Sequence, residues 1–376
     1  MTALEKTVNE LLKHADIEIG GSRPHDIQIH NNDLYARVLR DRELGLGESY
    51  MDGWWTSERP DQTIVKLLTA DLGSKIKPNA AMIASAAATL AKSKLSNSYT
   101  LARSKKNAEF HYNIGNDLYE LMLDPYMQYT CGYWKGAKNL AQAQENKLKL
   151  VCEKLKLKKG MTILEMGCGW GGFSEYAARN YGVKVTAVNT SSEQVKIARE
   201  RTKGLDVKIV HKDYREVTGQ FDRVVSIGML EHVGLKEYPA FFKQCNELLK
   251  PGGIMLHHTI GCNTPQTTAS FSWLGKYIFP GGYVPTMFEV LEPAQKYFAI
   301  EDVQNIGPDY DKTLLAWHQN FTKNYSKISD KYDEKFYKMW EYYLLMCAAG
   351  FRTRNTHLWQ FVMTRHEVSE RYDAPR

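Results

Sequence analysis

The sequence predicts an α/β protein: a parallel sheet covered by helices on both faces, preceded by a small α/β domain. Three observations carry that expectation. From Phe110 onward strand-like runs alternate with helical ones, the pattern of parallel strands joined by crossover helices. One strand-to-helix turn is glycine-rich, TILEMGCGWGGF over 162–173. The 376 residues, 43% hydrophobic and 24% charged, suit one large catalytic-sized domain with a smaller attachment.

In chain order, residues 1–95 form the attachment. Leu4, Val8, Leu11 and Leu12 mark a short amphipathic helix, and IEIG and IQIH read as a strand pair around the turn GGSRPHD. Helical stretches follow near Asn32 to Arg40 and Gln62 to Leu68. PNAAMIASAAATLA (78–91) predicts a helix with Met82, Ile83 and Leu90 on an alanine surface, and residues 96–108 read as a polar, basic linker. The second domain, 109–376, then runs through the strands MTILEM, VKVTAV, VKIV, FDRVVSIGM and IMLHHTI. Helices are expected after GCGWGG, at SEQVKIARER and from Tyr238 to Leu249. Two aromatic-rich helices, Lys312 to Lys327 and Tyr332 to Cys347, and a closing strand HLWQFVMTR complete the chain, with no internal repeat.

Composition excludes several classes. The longest charge-free stretch, Gly252 to Gly275, holds two histidines, a proline and many hydroxyl or amide side chains, which is no membrane span. The start, MTALEKTVNELLKHADIEI, lacks an apolar signal core, so a cytoplasmic protein is expected. Six cysteines (131, 152, 168, 245, 262, 347) without a CxxC pair should be reduced and bind no zinc. The net charge of +6 has an address: no acidic residue lies between Asp71 and Glu109, while Lys75, Lys77, Lys92, Lys94, Arg103, Lys105 and Lys106 do. The chain shows no nucleic-acid-binding module.

The glycine loop decides the ligand class. A dinucleotide site wants GxGxxG facing a pyrophosphate. Here glycines stand at 167, 169, 171 and 172, and Glu165 ends the preceding strand. A carboxylate there would repel phosphate and suits a cationic amine. The combination resembles motif I of class I S-adenosylmethionine-dependent methyltransferases, a Rossmann-like fold in which Gly167 and Gly169 pack against the cofactor. The next strand usually ends in an acidic residue for the ribose; this chain has Asn189, with Thr190 and Gln194 as neutral partners for hydroxyls. Asp213 and Tyr214, in HKDYREV, occupy the usual place of the adenine contacts.

Further segments name a group. LGLGESYMDGWW, HYNIGNDLYELMLDPYMQYTCGYW, IGMLEHVG, LHHTIG, YIFPGGYVP, PDY and CAAGF occur in this order over nearly the whole chain. Together they resemble bacterial cyclopropane-fatty-acyl-phospholipid synthases, relatives of the mycolic acid cyclopropane synthases; LGLGESYMDGWW belongs to the phospholipid enzymes. The resemblance implies methyl transfer from S-adenosylmethionine to a cis double bond of a phospholipid acyl chain, followed by proton loss and ring closure. An alkene is a poor nucleophile, so positioning matters. The carbocation needs a dry site with aromatic faces, for which Tyr310, Tyr129 and Tyr277 are the chosen candidates.

The resemblance further implies a bicarbonate base, held by Cys131, Glu231, His258, the backbone of Ile260, and Tyr310, and places Tyr129 and Thr130 at the cofactor. Strand alternation sends His257 and His258 to opposite faces, and the match selects His258. Glu231 beside an anion needs a raised carboxyl pKa or a protonated anion. Glu231 and His232 have no third ligand at metal spacing, so no metal is expected. Cys347 matches a cysteine sometimes given as a nucleophile; methyl transfer needs no covalent intermediate and nothing basic adjoins it, so it is kept as a residue near the site. The same fold also adds methyl branches to lipids or methylates small molecules, but only ring closure needs an added base. The basic segment fits peripheral docking on the anionic inner face of a membrane, the alternative being a domain-packing helix and a solvated linker. A homodimer is implied by the family.

Overall fold

The computed structural model describes residues 2–70, 72, 115–265, 272–367 and 371–376. The basic residues from Lys75 to Lys106, the helix expected over 78–91 and the linker 96–108 lie outside the described residues. The chain divides into two compact units, one of residues 1–97, 267–280 and 314–356, the other of 98–266, 281–313 and 357–376. These units do not follow the expected division in sequence order, 1–95 then 109–376, since residues 272–280 and 314–356 group with the N-terminal residues.

In the first unit, α1 (Ala3–His14) starts at a capping box: the Glu5 amide donates to Thr2 Oγ1 at 3.2 Å, and the Thr2 amide donates to Glu5 at 2.7 Å. The expected IEIG–IQIH hairpin does not form. Ile19 and Ile27 share a single bridge, and β1 (Gln28–Ile29) pairs instead with β2 (Trp55–Thr56). The reason is Asp26, whose buried carboxylate accepts the amides of Glu18 and Arg23, each at 2.9 Å, and so closes the turn on a side chain. Helix α2 (Asp33–Met51) continues past Arg40, bending at Arg42 (φ 52°), through the LGLGESYM segment.

The packing reason for the shared unit is aromatic and ionic. A Cβ on Gly47 would strike the Trp273 indole and come 2.8 Å from Tyr342 Cε1. The Trp273 and Tyr342 rings lie 4.9 Å apart, edge to face. Tyr50 donates to Glu341 at 2.6 Å. Arg352 meets the buried Asp61, in α3 (Pro60–Thr69), at 2.8 Å. The helix Glu334–Arg352 is therefore part of the N-terminal core.

The second unit opens with α4 (Asn116–Met122) and α5 (Leu140–Lys154). It then alternates β3 (Thr162–Met166), α6 (Gly172–Tyr181), β4 (Lys184–Asn189), α7 (Ser192–Arg201), β5 (Val207–His211), β6 (Phe221–Ile227), α8 (Tyr238–Leu248) and β7 (Leu249–Cys262). Two further strands, β8 (Phe298–Asn305) and β9 (Thr356–Arg365), pair antiparallel. The seven strands run in the order β5-β4-β3-β6-β7-β9-β8, with parallel pairing from β5 through to β7. The order reverses between β3 and β6, and such a switch point opens a crevice at the carboxyl ends of the strands. Alternation divides the core: Ile163, Val225 and Leu256 face α5 and α6, while Leu164, Val224 and Met255 face α8. Each fully buried aliphatic side chain of this kind contributes about 1.5–3 kcal/mol.

Candidate active site

The carboxyl ends of the five parallel strands carry most of the predicted residues: Glu165 in β3, Asn189 ending β4, Asp213 after β5, Glu231 after β6, and His258 and Ile260 in β7. At the switch point the two loops touch. A Cβ on Gly167 (φ 79°) would lie 3.1 Å from Met229. On Gly172 it would collide with the Tyr126 carbonyl oxygen, so this glycine admits the 124–134 segment against the start of α6. A Cβ on Gly169 (φ 51°) would meet nothing within 4 Å, leaving open space over the loop.

Glu165 shares the parity of Ile163 and so faces α5 and α6. It is buried, accepts the Ser174 hydroxyl, and has its pKa raised to about 7, chiefly by loss of water, with Ser174 and Lys147 opposing the rise. Asn189 Nδ2 donates to the Gly169 carbonyl at 3.2 Å and to Gln194 Oε1 at 2.8 Å, tying loop to helix. Gln194 Nε2 is buried with no hydrogen-bond partner among the described residues. Thr190 presents its carbonyl to His211 at 2.9 Å. Asp213 is engaged by Arg215 at 2.7 Å and caps the turn that follows. The Tyr214 ring packs edge-on to Phe241 at 5.5 Å.

A second group lies along β6, β7 and their neighbours. The Ile260 amide donates to Glu231 Oε1 at 2.6 Å, while Oε2, buried, has no partner among the described residues. Burial pushes the Glu231 carboxyl up. His258 is held neutral by burial; Gln360 Nε2 lies 3.3 Å from its Nδ1, and its buried Nε2 has no hydrogen-bond partner among the described residues. His257 goes to the opposite face, between Phe241, Phe242 and Phe361, as alternation requires.

Cys131 is fully buried and kept a thiol by loss of water, its Sγ 3.2 Å from the Gly132 carbonyl. Its segment is strapped to the first turns of the helix Gly307–Asn324: Gly132 N donates to Thr313 at 3.1 Å and Trp134 N to Asp309 at 2.9 Å. That strap carries the buried Tyr310. Tyr129 packs edge-on to Tyr119 at 5.1 Å, and Tyr119 lies 4.9 Å from Trp170.

Two predicted residues belong to the first unit. Tyr277 donates to Glu48 at 2.8 Å and carries Lys276 over its ring at 5.0 Å, so its hydroxyl and one face are engaged there. Cys347 is a half-buried thiol pushed up to about 12 by loss of water and by Glu43, which leaves no thiolate. All six cysteines are free. Among the described residues no group of three or more ligands could hold a metal, and no helix is long and apolar enough to cross a membrane.

Sequence reasoning passed over α5 and its Lys147. This ammonium is completely buried and donates to Thr130 Oγ1 at 2.9 Å and to Gln128 Oε1 at 2.5 Å. The signal was present: Leu140, Ala143, Lys147, Val151 and Lys154 recur at helical spacing on one buried face.

Comparison with known proteins gives a consistent result. Residues 99–361 match the family model of mycolic acid cyclopropane synthetase. Cyclopropane-fatty-acyl-phospholipid synthase of Escherichia coli strain K12 is 46% identical over 360 residues, 96% of this chain and 93% of that protein. Cyclopropane synthase MmaA2 from Mycobacterium tuberculosis superposes with a TM-score of 0.66 at 30% identity, covering 69% of this chain and 97% of its own. Mycolic acid cyclopropane synthase CmaA1, solved with SAH and CTAB, gives 0.65 at 31% identity over the same shares.

Proposed function

The chain belongs to the mycolic acid cyclopropane synthetase family, and on that premise we propose that it transfers the methyl carbon of S-adenosylmethionine to the cis double bond of an unsaturated phospholipid acyl chain and closes a cyclopropane ring. The observation that carries the phospholipid is coverage. The E. coli synthase matches nearly the whole chain, which must take in most of the residues before 99, where the family model begins. The mycolic acid enzymes cover a shorter share.

When bound, S-adenosylmethionine supplies an electrophilic methyl group and bicarbonate supplies the base that removes a proton after transfer. Glu165, the 167–172 loop, Asn189 and Gln194 would hold the cofactor; the unpartnered Gln194 amide and the open space at Gly169 support that fit. Glu231, His258, Cys131, the Ile260 backbone and Tyr310 would hold the anion. Its support is the pair of buried polar atoms without partners among the described residues, Glu231 Oε2 and His258 Nε2. Burial raises the Glu231 carboxyl and so favours the protonated form, which would donate to an anion instead of repelling it, and a neutral His258 carrying its proton on Nε2 would be a second donor. Tyr129, Tyr119 and Trp170 offer aromatic faces, which attract positive charge without adding to it.

The test is direct. Incubated with S-adenosylmethionine and a mono-unsaturated phospholipid, the protein is expected to add one methylene to the acyl chain with loss of its alkene proton signals. A retained alkene, or a methyl branch, overturns the reading. Activity in bicarbonate-free buffer should fall and return on adding bicarbonate. The same proposal includes peripheral binding to the anionic inner membrane surface through the basic segment, and a homodimer. Liposome co-sedimentation unchanged by salt or by neutralising the five basic residues from Lys92 to Lys106 would remove the first, and a monomeric mass by light scattering the second.

A further inference from the structure

Lys147 is a buried charge without a direct counter-ion. Among the described residues no carboxylate lies within ion-pair distance of it, and its two hydrogen bonds go to neutral oxygens, Gln128 Oε1 and Thr130 Oγ1. Taking an ammonium out of water costs several kcal/mol, so a lysine kept there is held by what it faces. Its charge acts on Asp124, Cys131, Glu165 and His258. Asp124 already accepts the amides of Tyr126 and Gln128, each at 2.8 Å. Both acceptors of Lys147 lie in the segment that meets the glycine loops: a Cβ on Gly228 would come 2.8 Å from Thr130 Cγ2, and one on Gly172 would come 2.5 Å from Gln128 Nε2. Gln144, one turn earlier in α5, adds a bond to the Thr130 carbonyl at 2.7 Å.

The groups facing Glu165 are few. Ser174 comes from α6, Cys168 from the loop, and Cys152 and Lys147 from α5. Both thiols are held protonated by burial. Lys147 is thus the cation whose field Glu165 feels among the described residues.

We propose that Lys147 is a positioning residue for the cofactor: its ammonium ties the 128–130 segment against the glycine loops and, from the buried face of α5 that Glu165 meets, favours the Glu165 carboxylate, the form that receives a cationic ligand. The inference rests on the cofactor reading above only in its last clause. Lys147 itself carries a pKa lowered to about 8 by burial, so at neutral pH it is mostly charged.

The ligand-free protein, labelled with 13C at glutamate carboxyls and lysine Cε, tests this by NMR titration. Glu165, assigned by its loss in Glu165→Gln, should titrate near 7. In Lys147→Met its midpoint should rise by about one pH unit or more, and in Lys147→Arg it should stay. A midpoint unmoved in Lys147→Met overturns the proposal. Should that variant fail to fold, the native protein decides: the Lys147 Cε signal must show a step at the Glu165 midpoint that vanishes in Glu165→Gln, and its absence is equally fatal. Binding of S-adenosylhomocysteine by calorimetry at pH 7 should weaken about fivefold in Lys147→Met, as the ionised fraction drops from about a half to a tenth. Unchanged affinity beside a shifted midpoint removes the link to the cofactor. If the native protein binds none, the cofactor reading fails while the titration still judges Lys147.

Discussion

A carboxyl group with a pKa near 7 is costly to the fold that holds it. Glu165 starts from an ordinary value of 4.5 and is raised to about 7 by burial. Raised in the folded state, it favours unfolding as pH rises: stability is full below about 4.5, falls through about 7, and is lower by about 3 kcal/mol above that. Glu165→Gln should therefore raise the ligand-free melting temperature at pH 8 and leave it nearly unchanged at pH 4; equal shifts at both would refute the argument. Glu231 is different in kind. Its Oε1 accepts the Ile260 amide, and its buried Oε2 has no hydrogen-bond partner among the described residues. Glu231→Gln keeps the shape but fixes one oxygen and one amide group, and should lower turnover by about 10²-fold or more at saturating bicarbonate. Cys131→Ser should lower it less, since a hydroxyl can donate as the thiol does. Full activity in both variants, with and without added bicarbonate, would exclude these residues from the anion site. The candidates for such roles were legible as residue types in matched motifs. Lys147 was not, because in ENKLKLVCEKL it reads as one of several lysines of a solvated face; only the helical phase separates it from the exposed Lys149.

At the scale of elements, the glycine loop separates two uses of the same residue. Gly172 abuts the Tyr126 carbonyl, a backbone group that cannot move aside. Gly172→Ala should cost about 1–3 kcal/mol by overpacking, seen as a lower denaturation midpoint. Gly169 has positive φ and open space. Gly169→Ala should cost about 1 kcal/mol of backbone strain yet weaken S-adenosylhomocysteine binding severalfold, because its methyl enters the space over the loop. Equal effects of the two on melting and binding would contradict the assignment. The strand-loop-helix was readable from periodicity and glycine spacing. The helix Gly307–Asn324 begins before the expected Lys312, so Tyr310 sits in its first turns. Local pattern could not show this, because the strap from Gly132 and Trp134 to Thr313 and Asp309 joins residues some 175 positions apart.

For the whole molecule, the two units make separable predictions. Gly47→Ala should strain the packing of Trp273 and Tyr342 and lower the stability of the first unit by about 1–3 kcal/mol, while leaving S-adenosylhomocysteine affinity unchanged. Calorimetric unfolding paired with binding checks it; a matching loss of affinity would refute the separation. The sequence by itself determined the alternation of β3 to β7, the glycine loop and the family, since periodicity and motif spacing are local properties of the chain. Tertiary structure alone decided that the helix Glu334–Arg352 joins the N-terminal unit, that β1 pairs with β2, and that Lys147 is buried against Thr130. Each of these turns on partners far apart in sequence, and a lysine, an aromatic helix or a short strand is the same string of residues whichever partner covers it.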